Sequence, residues 1–459
     1  MRSEPAQPSE ENHMSLFSTL SVGASGLGVS STWMNVIGDN IANMNTVGYK
    51  QGRASFADFL PQHVFGVGGG GQVGAGAVTN QVATLMGQGS FETSSNATDM
   101  AISGAGFFMV EGDDGAYFTR AGEFGVDDQG YVVNAQGYRL QGYSGEGGAV
   151  GAMLGDLQIP TGTLDPVATG SVTLEANLSA ATEVGTELAA LDFYGTGTGT
   201  STLLEAGEAA DFTTSVTVYD SRGQSHDVTV LFERTSNDQW TWRAVSDASE
   251  AYDSTGTAYA SESGYAFEIA SGTVDFDTDG NVSGFTQTST ADSTTWSFAG
   301  SATPTIDFDF GLDASGTETD GSLSMTGDES AVTAVEQDGS KAGALTGISI
   351  DEDGVISGSY DNGETMAIGQ VALATFAAPD QLTRVGSALF AATPGAGEYA
   401  IGAAGTGGRG SVSGYALEKS NVNLEEQFVQ MITAQRSYQA SSKVITTANE
   451  TLQQLLQLV

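Results

Sequence analysis

Apolar residues recur at seven-residue spacing at both ends of this 459-residue chain, and this pattern constrains the fold more than any other feature. A seven-residue repeat places apolar side chains on one face of an α-helix, as in the seam of a coiled coil. The pattern predicts two long terminal helices that pair within one chain or between copies, although packing on a globular core would give the same pattern. The seam residues are Leu20, Leu27, Met34 and Ile41 at the N-terminal end, and Phe428, Met431, Tyr438, Ile445, Leu452 and Leu456 at the C-terminal end.

Two further features support these helices. Small residues recur every seven positions beside the first seam, at Ala24, Ser31 and Gly38, and they would let another helix approach closely. Asn423 and Glu426 have the spacing of a capping box, which predicts a helix start just after Asn423; Asn421 is the alternative cap.

Charge is distributed unevenly along the chain. The 56 acidic and 14 basic residues give a net charge of −42. Residues 14–60 are neutral, residues 414–459 sum to −1 and residues 1–13 to −2, which leaves −39 for residues 61–413. Neutral ends can pack against copies of themselves, whereas the acidic middle favours solvent and repels nucleic acid. No apolar run reaches about 18 residues, so the sequence predicts no helix inserted in a membrane.

The middle of the chain has the pattern of β-structure. Thr and Val alternate with polar residues, and Asp-Gly turns such as Asp279-Gly280 and Asp353-Gly354 separate the runs. We expect a multi-domain, mainly β fold with terminal α-helices, in which an inner β domain carries an inserted outer β domain and coiled-coil-like helices flank both. The expected segments are a disordered extension at 1–13, helix and Gly-rich connector at 14–76, the first β domain at 77–159 and 363–412, the insert at 160–362, and the C-terminal helix at 413–459.

The candidate chemical motifs are weak. Asp275, Asp277 and Asp279 alternate as in a calcium loop, but the twelfth position is Thr286 instead of Glu, which favours a tight turn. The Gly-rich run at 66–76 contains a GxGxxG string without the helix that a dinucleotide site needs, and it reads as a flexible connector. The chain has no cysteine and three separated histidines. We therefore expect no catalytic, metal or cofactor site, and no enzyme.

The N-terminal end also lacks the features of a secretory signal. A signal peptide needs a basic start followed by an apolar run, whereas residues 3–13 are polar and the apolar residues after Met14 are interrupted by Ser and Gly. The sequence predicts export, if any, without a cleaved signal peptide, and Met14 resembles a second start.

Specific strings at both ends resemble the flagellar rod and hook proteins, the axial protein family of the bacterial flagellum. The string at 40–50 reads NIANMNTVGYK, and the strings EKSNVN at 418–423 and AQRSYQA at 434–440 lie in the expected order and place. Further strings at 99–143, 218–226 and 350–376 resemble the family's β domains. The signature residues are Asn40, Asn43, Asn45, Thr46, Gly48, Tyr49, Ser420, Asn421, Gln435, Arg436, Tyr438 and Gln439.

The resemblance implies a mechanical function. The long insert favours a hook subunit over a rod subunit, which implies a homopolymer that forms a flexible tubular coupling and transmits torque to the filament. The partners it implies are other copies of the chain, the distal rod protein, the hook cap, the hook–filament junction proteins and the flagellar type III export apparatus. It places the protein outside the cell, in the flagellar hook. The alternatives are a distal rod protein with an unusual insert and a secreted β-rich adhesin.

Overall fold

The chain folds into two compact units. The computed structural model describes residues 11–60, 62–66, 69–112, 114–146, 149–195, 199–288, 296–312 and 321–458. The terminal unit comprises the chain up to Thr161 together with Gly347–Ser359 and Thr365–Val459, and the inserted unit comprises Gly162–Thr346 and Tyr360–Glu364. The expected 1–13 extension lies partly outside the described residues.

Three α-helices are present in the described residues. Asn423 caps the last one, since its Oδ1 accepts hydrogen bonds from the backbone N–H groups of Glu425 and Glu426. Thr202 and Glu205 form a reciprocal capping box at the short one. The helices are α1 (Glu11–Ala42), α2 (Leu203–Ala209) and α3 (Leu424–Leu458).

The described residues of the terminal unit form twelve strands before the insert. They are β1 (Gly52–Asp58), β2 (Gln62–Gly66), β3 (Gly69–Val73), β4 (Ala77–Thr84), β5 (Phe91–Thr93), β6 (Met100–Ser103), β7 (Phe107–Gly112), β8 (Gly115–Thr119), β9 (Phe124–Val126), β10 (Val132–Asn134), β11 (Arg139–Glu146) and β12 (Ala149–Asp156). Antiparallel pairing of β2 with β3 shows that the Gly-rich stretch is partly regular instead of a continuous flexible connector.

Eleven strands lie in the described ranges of the inserted unit. They are β13 (Ser171–Ser179), β14 (Phe212–Tyr219), β15 (Ser225–Arg234), β16 (Gln239–Asp247), β17 (Ala251–Asp253), β18 (Ala266–Phe276), β19 (Val282–Thr288), β20 (Trp296–Phe298), β21 (Asp307–Asp309), β22 (Ser322–Thr326) and β23 (Ala331–Gln337). A five-stranded sheet in the order β14-β15-β16-β18-β19 and a sheet built on β13 enclose a core rich in aromatic side chains, including Trp240, Trp242 and Phe310.

Eight strands follow. They are β24 (Leu345–Ile350), β25 (Val355–Tyr360), β26 (Thr365–Thr375), β27 (Thr383–Gly386), β28 (Leu389–Ala391), β29 (Ala400–Ala403), β30 (Ser411–Gly414) and β31 (Ala416–Glu418). The returning strand β26 pairs with β7 and β11, and β28 pairs with β8. The chain therefore passes twice through one β domain, which confirms the predicted mainly β, nested fold with terminal helices. This domain positions both ends of the chain.

Candidate functional site: the terminal helix pair and its joint

Helices α1 and α3 pack against each other as an antiparallel pair. The hydroxyl Oγ of Ser30 donates to Ser437 Oγ at 3.2 Å, and Nδ2 of Asn40 donates to Gln427 Oε1 at 3.0 Å. As residue numbers rise along α1, those of the partner residues fall along α3, so the two chain ends run in opposite directions. The terminal helices thus pair within one chain.

Glycines set the distance between the two helices. A Cβ added at Gly23 would lie 2.7 Å from Cγ1 of Ile445, and one at Gly26 would lie 2.7 Å from Oγ of Ser441. Real Cβ atoms do not approach this closely, so a side chain at either position would displace Ile445 or Ser441 or move the helices apart.

The predicted seam of α1 lies beside the buried face, not on it. Its four residues are half-buried, whereas Gly23, Ser30, Ile37 and Asn40 are buried. Of the predicted row of small residues, Ala24 is exposed, and Gly38 has no atom within 4 Å of the place where a Cβ would be. The close approach within the chain therefore uses another row of seven-residue spacing, Gly23, Ser30 and Ile37, in which Gly and Ser weaken the apolar signal.

The predicted seam of α3 divides into two sets. Met431, Ile445 and Leu452 are half-buried, whereas Phe428, Tyr438 and Leu456 are 51%, 41% and 77% exposed. Among the α3 residues whose burial the structure describes, Gln427, Ala434 and Ala448 are buried. They too follow a seven-residue spacing, and the sequence reading missed Gln427 because it is polar.

Helix α3 leaves a set of large apolar side chains exposed. A groove beside it is lined by residues of both helices, among them Thr19, Val444 and Thr451. Because exposed apolar area is unfavourable in water, these side chains, which lie on more than one side of α3, are suited to contact with other chains. They are Phe428, Val429, Ile432, Tyr438, Val444 and Leu456.

A joint of hydrogen bonds fixes both helices to the β domain, and Asn40 is one of its centres. The buried Asn40 side chain donates from Nδ2 to the carbonyl of Gly52 at 2.8 Å, and its Oδ1 accepts from the Gly52 N–H at 2.8 Å. Since Nδ2 also donates to Gln427, one amide connects α1, β1 and α3. Asn is suited to this role because its amide both donates and accepts.

The loop after α1 is held by other signature residues. Asn43 Nδ2 donates to Asp39 Oδ1 at 3.1 Å, Thr46 Oγ1 donates to Asn43 Oδ1 at 3.2 Å, and the Tyr49 hydroxyl donates to Asp39 Oδ2 at 3.0 Å. Partial burial raises the pKa of the Tyr49 hydroxyl. Asn45 is exposed.

Gly48 is required at its position in this loop. Its φ is +68°, and a Cβ there would overlap the backbone of Ala121. Its N–H donates to the carbonyl of Glu418 at 2.7 Å, which ties the N-terminal signature directly to the strand before α3. The left-handed conformation and the lack of space both select glycine.

A buried ion-pair cluster lies beneath this loop. Glu418 is fully buried, with Oε1 at 2.5 Å from Lys50 Nζ and Oε2 at 3.3 Å from Arg120 Nη1. Lys50 also donates to the carbonyl of Gly87, and the Gly89 N–H donates to Glu418 Oε1. Burial lowers the pKa of both Lys50 and Arg120, and Glu418 partly offsets this effect. The three charges connect three distant parts of the sequence.

Asn421 completes the joint at the C-terminal side. Its Oδ1 accepts from the Gln51 N–H at 2.7 Å, and its Nδ2 donates to the carbonyls of Leu85 and Gly87, both at 2.9 Å. Ser420 Oγ accepts from the N–H of Val422 at 3.3 Å. The predicted signature residues thus fall into two groups. Asn421, Ser420 and the signature residues of the loop after α1 belong to the joint. The other group, exposed on α3, consists of Gln435, Arg436, Tyr438 and Gln439.

Arg384 and the ion-pair partners Arg120 and Glu418 were not among the predicted site residues. Arg384 donates to the Tyr49 hydroxyl and to the Lys50 carbonyl, and its guanidinium lies over the Tyr49 ring at 5.0 Å. Their positions in the sequence, distant from the signature loop, gave no sign of this convergence.

The structure also locates the weaker motifs. Gly280 has a φ of +86° in the turn between β18 and β19, and Asp277 accepts hydrogen bonds there from the N–H groups of Asn281 and Asp279, which lower the pKa of its carboxyl. Asp275 accepts from Gln239 Nε2. Within the described ranges, no three His, Asp or Glu side chains are grouped to hold a metal ion, and no helix is long and apolar enough to span a membrane.

Four family models match successive parts of the chain. Their descriptions are Flagella basal body rod protein at residues 20–50, Flagellar hook protein FlgE/F/G D1 domain at 101–177, Flagellar basal body protein FlaE D2 domain at 200–340, and Flagellar basal body rod FlgEFG protein C-terminal at 413–458. Both signature strings fall inside the first and last matches. The fold and the joint therefore define a flagellar axial protein of the rod and hook class.

Whole-length relatives narrow the class to the hook. The chain is 34% identical to the flagellar hook protein FlgE of Treponema pallidum over 97% of its own length and 99% of the relative's. It is 30% identical to FlgE of Salmonella typhimurium over 96% and 100% of the two chains, and 33% identical to FlgE of Borreliella burgdorferi over 95% and 98%. The chain belongs to the flagellar hook protein FlgE family.

Proposed function

We propose that the chain is the structural subunit of a flagellar hook, which polymerises through its terminal helices into a flexible tube that transmits torque from the rod to the filament. The observation that carries the proposal is the exposed apolar surface of α3, which the α1–α3 pair leaves uncovered. A face of this kind needs a partner, and identical copies supply one. The near-full-length similarity to hook proteins favours this function over a rod protein or an adhesin.

The charge distribution supports the same arrangement. The inserted unit has 32 acidic and 4 basic residues, a net charge of −28, and the terminal unit carries the remaining −14. Like charges of this size repel neighbouring copies. The nearly neutral helices are therefore the parts that can pack closely at the centre of a polymer, with the inserted unit towards solvent.

The joint supplies the stiffness that torque transmission requires. Buried hydrogen bonds and the Lys50–Glu418–Arg120 cluster hold both helices to one β domain, so a force on the helix pair reaches that domain through many contacts at once. A subunit that bends at this joint would lose buried polar contacts, which is costly. Bending of the tube is then accommodated between subunits.

The finer assignments follow from this proposal. The chain would contact the distal rod protein at one end of the hook and the junction proteins at the other, grow beneath a hook cap, and leave the cell through the flagellar type III apparatus without a cleaved signal peptide. It would act outside the cell, at the base of the filament.

The test is a substitution in the exposed face of α3. Ile432→Asp places a charge on a residue that is 51% exposed. In a strain that lacks its own hook gene, we expect this variant to be exported into the medium as folded monomer without forming hooks, whereas Ile432→Leu restores hooks of normal length in electron micrographs. Normal hooks from Ile432→Asp would refute assembly through this face.

A further inference from the structure

A cavity of about 250 Å³ opens at the surface of the joint. The loop after α1 forms one wall, and the turn between β27 and β28 forms the other. Small-molecule sites usually have volumes of roughly 300–1,000 Å³, so this cavity has a size better suited to one large side chain. Among the residues that line it are Asp39, Tyr49, Arg384, Ser387, Ala388 and Phe390.

The turn between β27 and β28 is strained. Its two residues, Ser387 and Ala388, have φ of +50° and +57°, a left-handed conformation that side chains with a Cβ disfavour. Two-residue turns of this shape ordinarily carry Asn and Gly, which adopt positive φ more readily. Backbone strain of this kind collects at binding surfaces, because the surrounding structure holds the strained segment in one shape. The cavity therefore has a fixed outer wall.

The same unit carries an exposed apolar projection, which consists of Phe59 and Leu60 just beyond the end of β1. The two residues are 51% and 89% exposed, and Leu60 has the largest exposed fraction of the large apolar residues in the described ranges. Exposed apolar groups of this size mark a contact surface when they lie together. The projection is thus suited to insertion into an apolar site.

The projection lies too far from the cavity of its own chain to enter it. Strand β1 runs back along α1, and beyond its end the Phe59 N–H donates to the carbonyl of Gly76 at 2.9 Å. The N–H of the next residue after Gly76 donates to Ser25 Oγ at 3.3 Å, which places the projection beside Ser25. The cavity lies beside Asp39. Fourteen residues of α1 separate these two levels and span about 21 Å, so only another copy can bring projection and cavity together.

The charges around the two surfaces are complementary. The guanidinium of Arg384 lines the cavity and is 31% exposed, and its nearest carboxylate, on Asp39, is 4.0 Å away. The exposed Asp58 stands two residues before Leu60. A projection that enters the cavity from another copy therefore brings a second carboxylate towards this cation, and opposite charges at such a rim favour correct pairing.

We propose that Leu60 of one copy fills the cavity at the joint of another copy, with Phe59 packed at its rim. The proposal rests on the hook function proposed above and names a contact between copies that lies outside the helices. Projection and cavity are different surfaces of one chain, so the contact is heterologous. Because each copy offers one of each, repetition of the contact gives an open helical polymer instead of a closed dimer.

The experiment uses the absence of cysteine from the chain, because two introduced cysteines then report one contact alone. Hooks are formed from the full-length double variant Leu60→Cys with Ser387→Cys in a strain that lacks its own hook gene. They are oxidised and separated on a denaturing gel without reductant. A disulfide requires Cα atoms about 4.4–6.8 Å apart. The control combines Leu60→Cys with Leu204→Cys, since Leu204 is 73% exposed but lies in the inserted unit, away from the cavity.

We expect a ladder of dimers and longer oligomers from hooks of the Leu60→Cys, Ser387→Cys variant, because each copy becomes linked to two others. The control hooks and oxidised, unassembled subunits should give monomers. Hooks of the double variant that give only monomers overturn the inference and leave the proposed function intact. If the wild-type chain forms no hooks in the same strain, the proposed function fails, and this contact fails with it.

A measurement on the wild type decides the matter if the double variant does not assemble. Hydroxyl-radical labelling of Phe59 and Leu60 should fall several-fold from the monomer to the hook, since both side chains become buried. Leu204 should label equally in the two states. Equal labelling of Leu60 in monomer and hook overturns the inference.

Discussion

Removal of the buried charge of Lys50 gives the sharpest test of the joint. Lys50→Met keeps most of the volume of the side chain but leaves the fully buried Glu418 without its 2.5 Å partner. Breaking a buried ion pair costs about 3–5 kcal/mol. We expect the free energy of unfolding to fall by an amount near the lower end of this range, for two reasons. Arg120 and the Gly89 N–H still contact the same carboxylate. Burial, which lowers the pKa of Lys50, also already disfavours its charged form.

The chain provides a matched control in Lys419, the residue next to Glu418. Lys419 pairs with Glu92 at 3.1 Å, but the two side chains are 45% and 63% exposed. An exposed pair contributes at most about 1 kcal/mol. Lys419→Met therefore removes the same charge from the same region and should cost several-fold less than Lys50→Met.

Hydrogen exchange on the full chain measures the effect where it occurs. Peptides from β5, β6 and β31 report the opening free energy of the terminal unit, and peptides from β14–β16 serve as an internal reference in the inserted unit. We expect Lys50→Met to accelerate exchange in the first set alone. Glu418→Gln should cost more, since it leaves Lys50 and Arg120 as two buried cations. Equal effects of Lys50→Met and Lys419→Met would refute the reasoning.

Three further predictions concern glycines and salt. Gly48→Ala should destabilise the terminal unit by more than Gly137→Ala does. Both substitutions incur roughly 1–2 kcal/mol of left-handed strain, but of these two positions Gly48 alone also lacks space for a Cβ. Denaturant unfolding of both variants measures the difference. Gly23→Val should separate the helices at Ile445 and abolish hooks, whereas Gly28→Ala, which has open space, should strengthen α1 by about 1 kcal/mol and leave hooks intact in electron micrographs. Sodium chloride should accelerate polymerisation of the purified chain, because salt screens the −28 charge of the inserted unit. Light scattering measures the rate. A rate that falls with salt would contradict that role for the charge.

Much of the architecture follows from local pattern. The seven-residue repeats predicted both terminal helices, and the Asp-Gly pairs predicted turns at Gly280 and Gly354, where the backbone has φ of +86° and +76°. These features depend on periodicity and on glycine's freedom at positive φ, both of which are properties of neighbouring residues.

The sequence predicted only some of the residues that form the joint. The strings that contain Asn40, Gly48 and Asn421 resembled a family signature, but the resemblance did not say that the residues touch. Arg120 lay in a string that resembled the family's β domain, but neither it nor Arg384 was linked to the chain ends, since each stands in a strand region far from them. Convergence of this kind depends on the path of the chain through the β domain.

Helices at the ends, β domains in the middle and an acidic middle all follow from the sequence, because periodicity, turn residues and composition are local properties. Which face of each helix is buried depends on the packing of the folded chain. Gly23, Gly26 and Ser30 allow close backbone approach, and this moves the contact away from the apolar row that the sequence favoured. The apolar side chains Phe428 and Ile432 are left exposed as a result, and the choice of that face depends on the shape of both helices together.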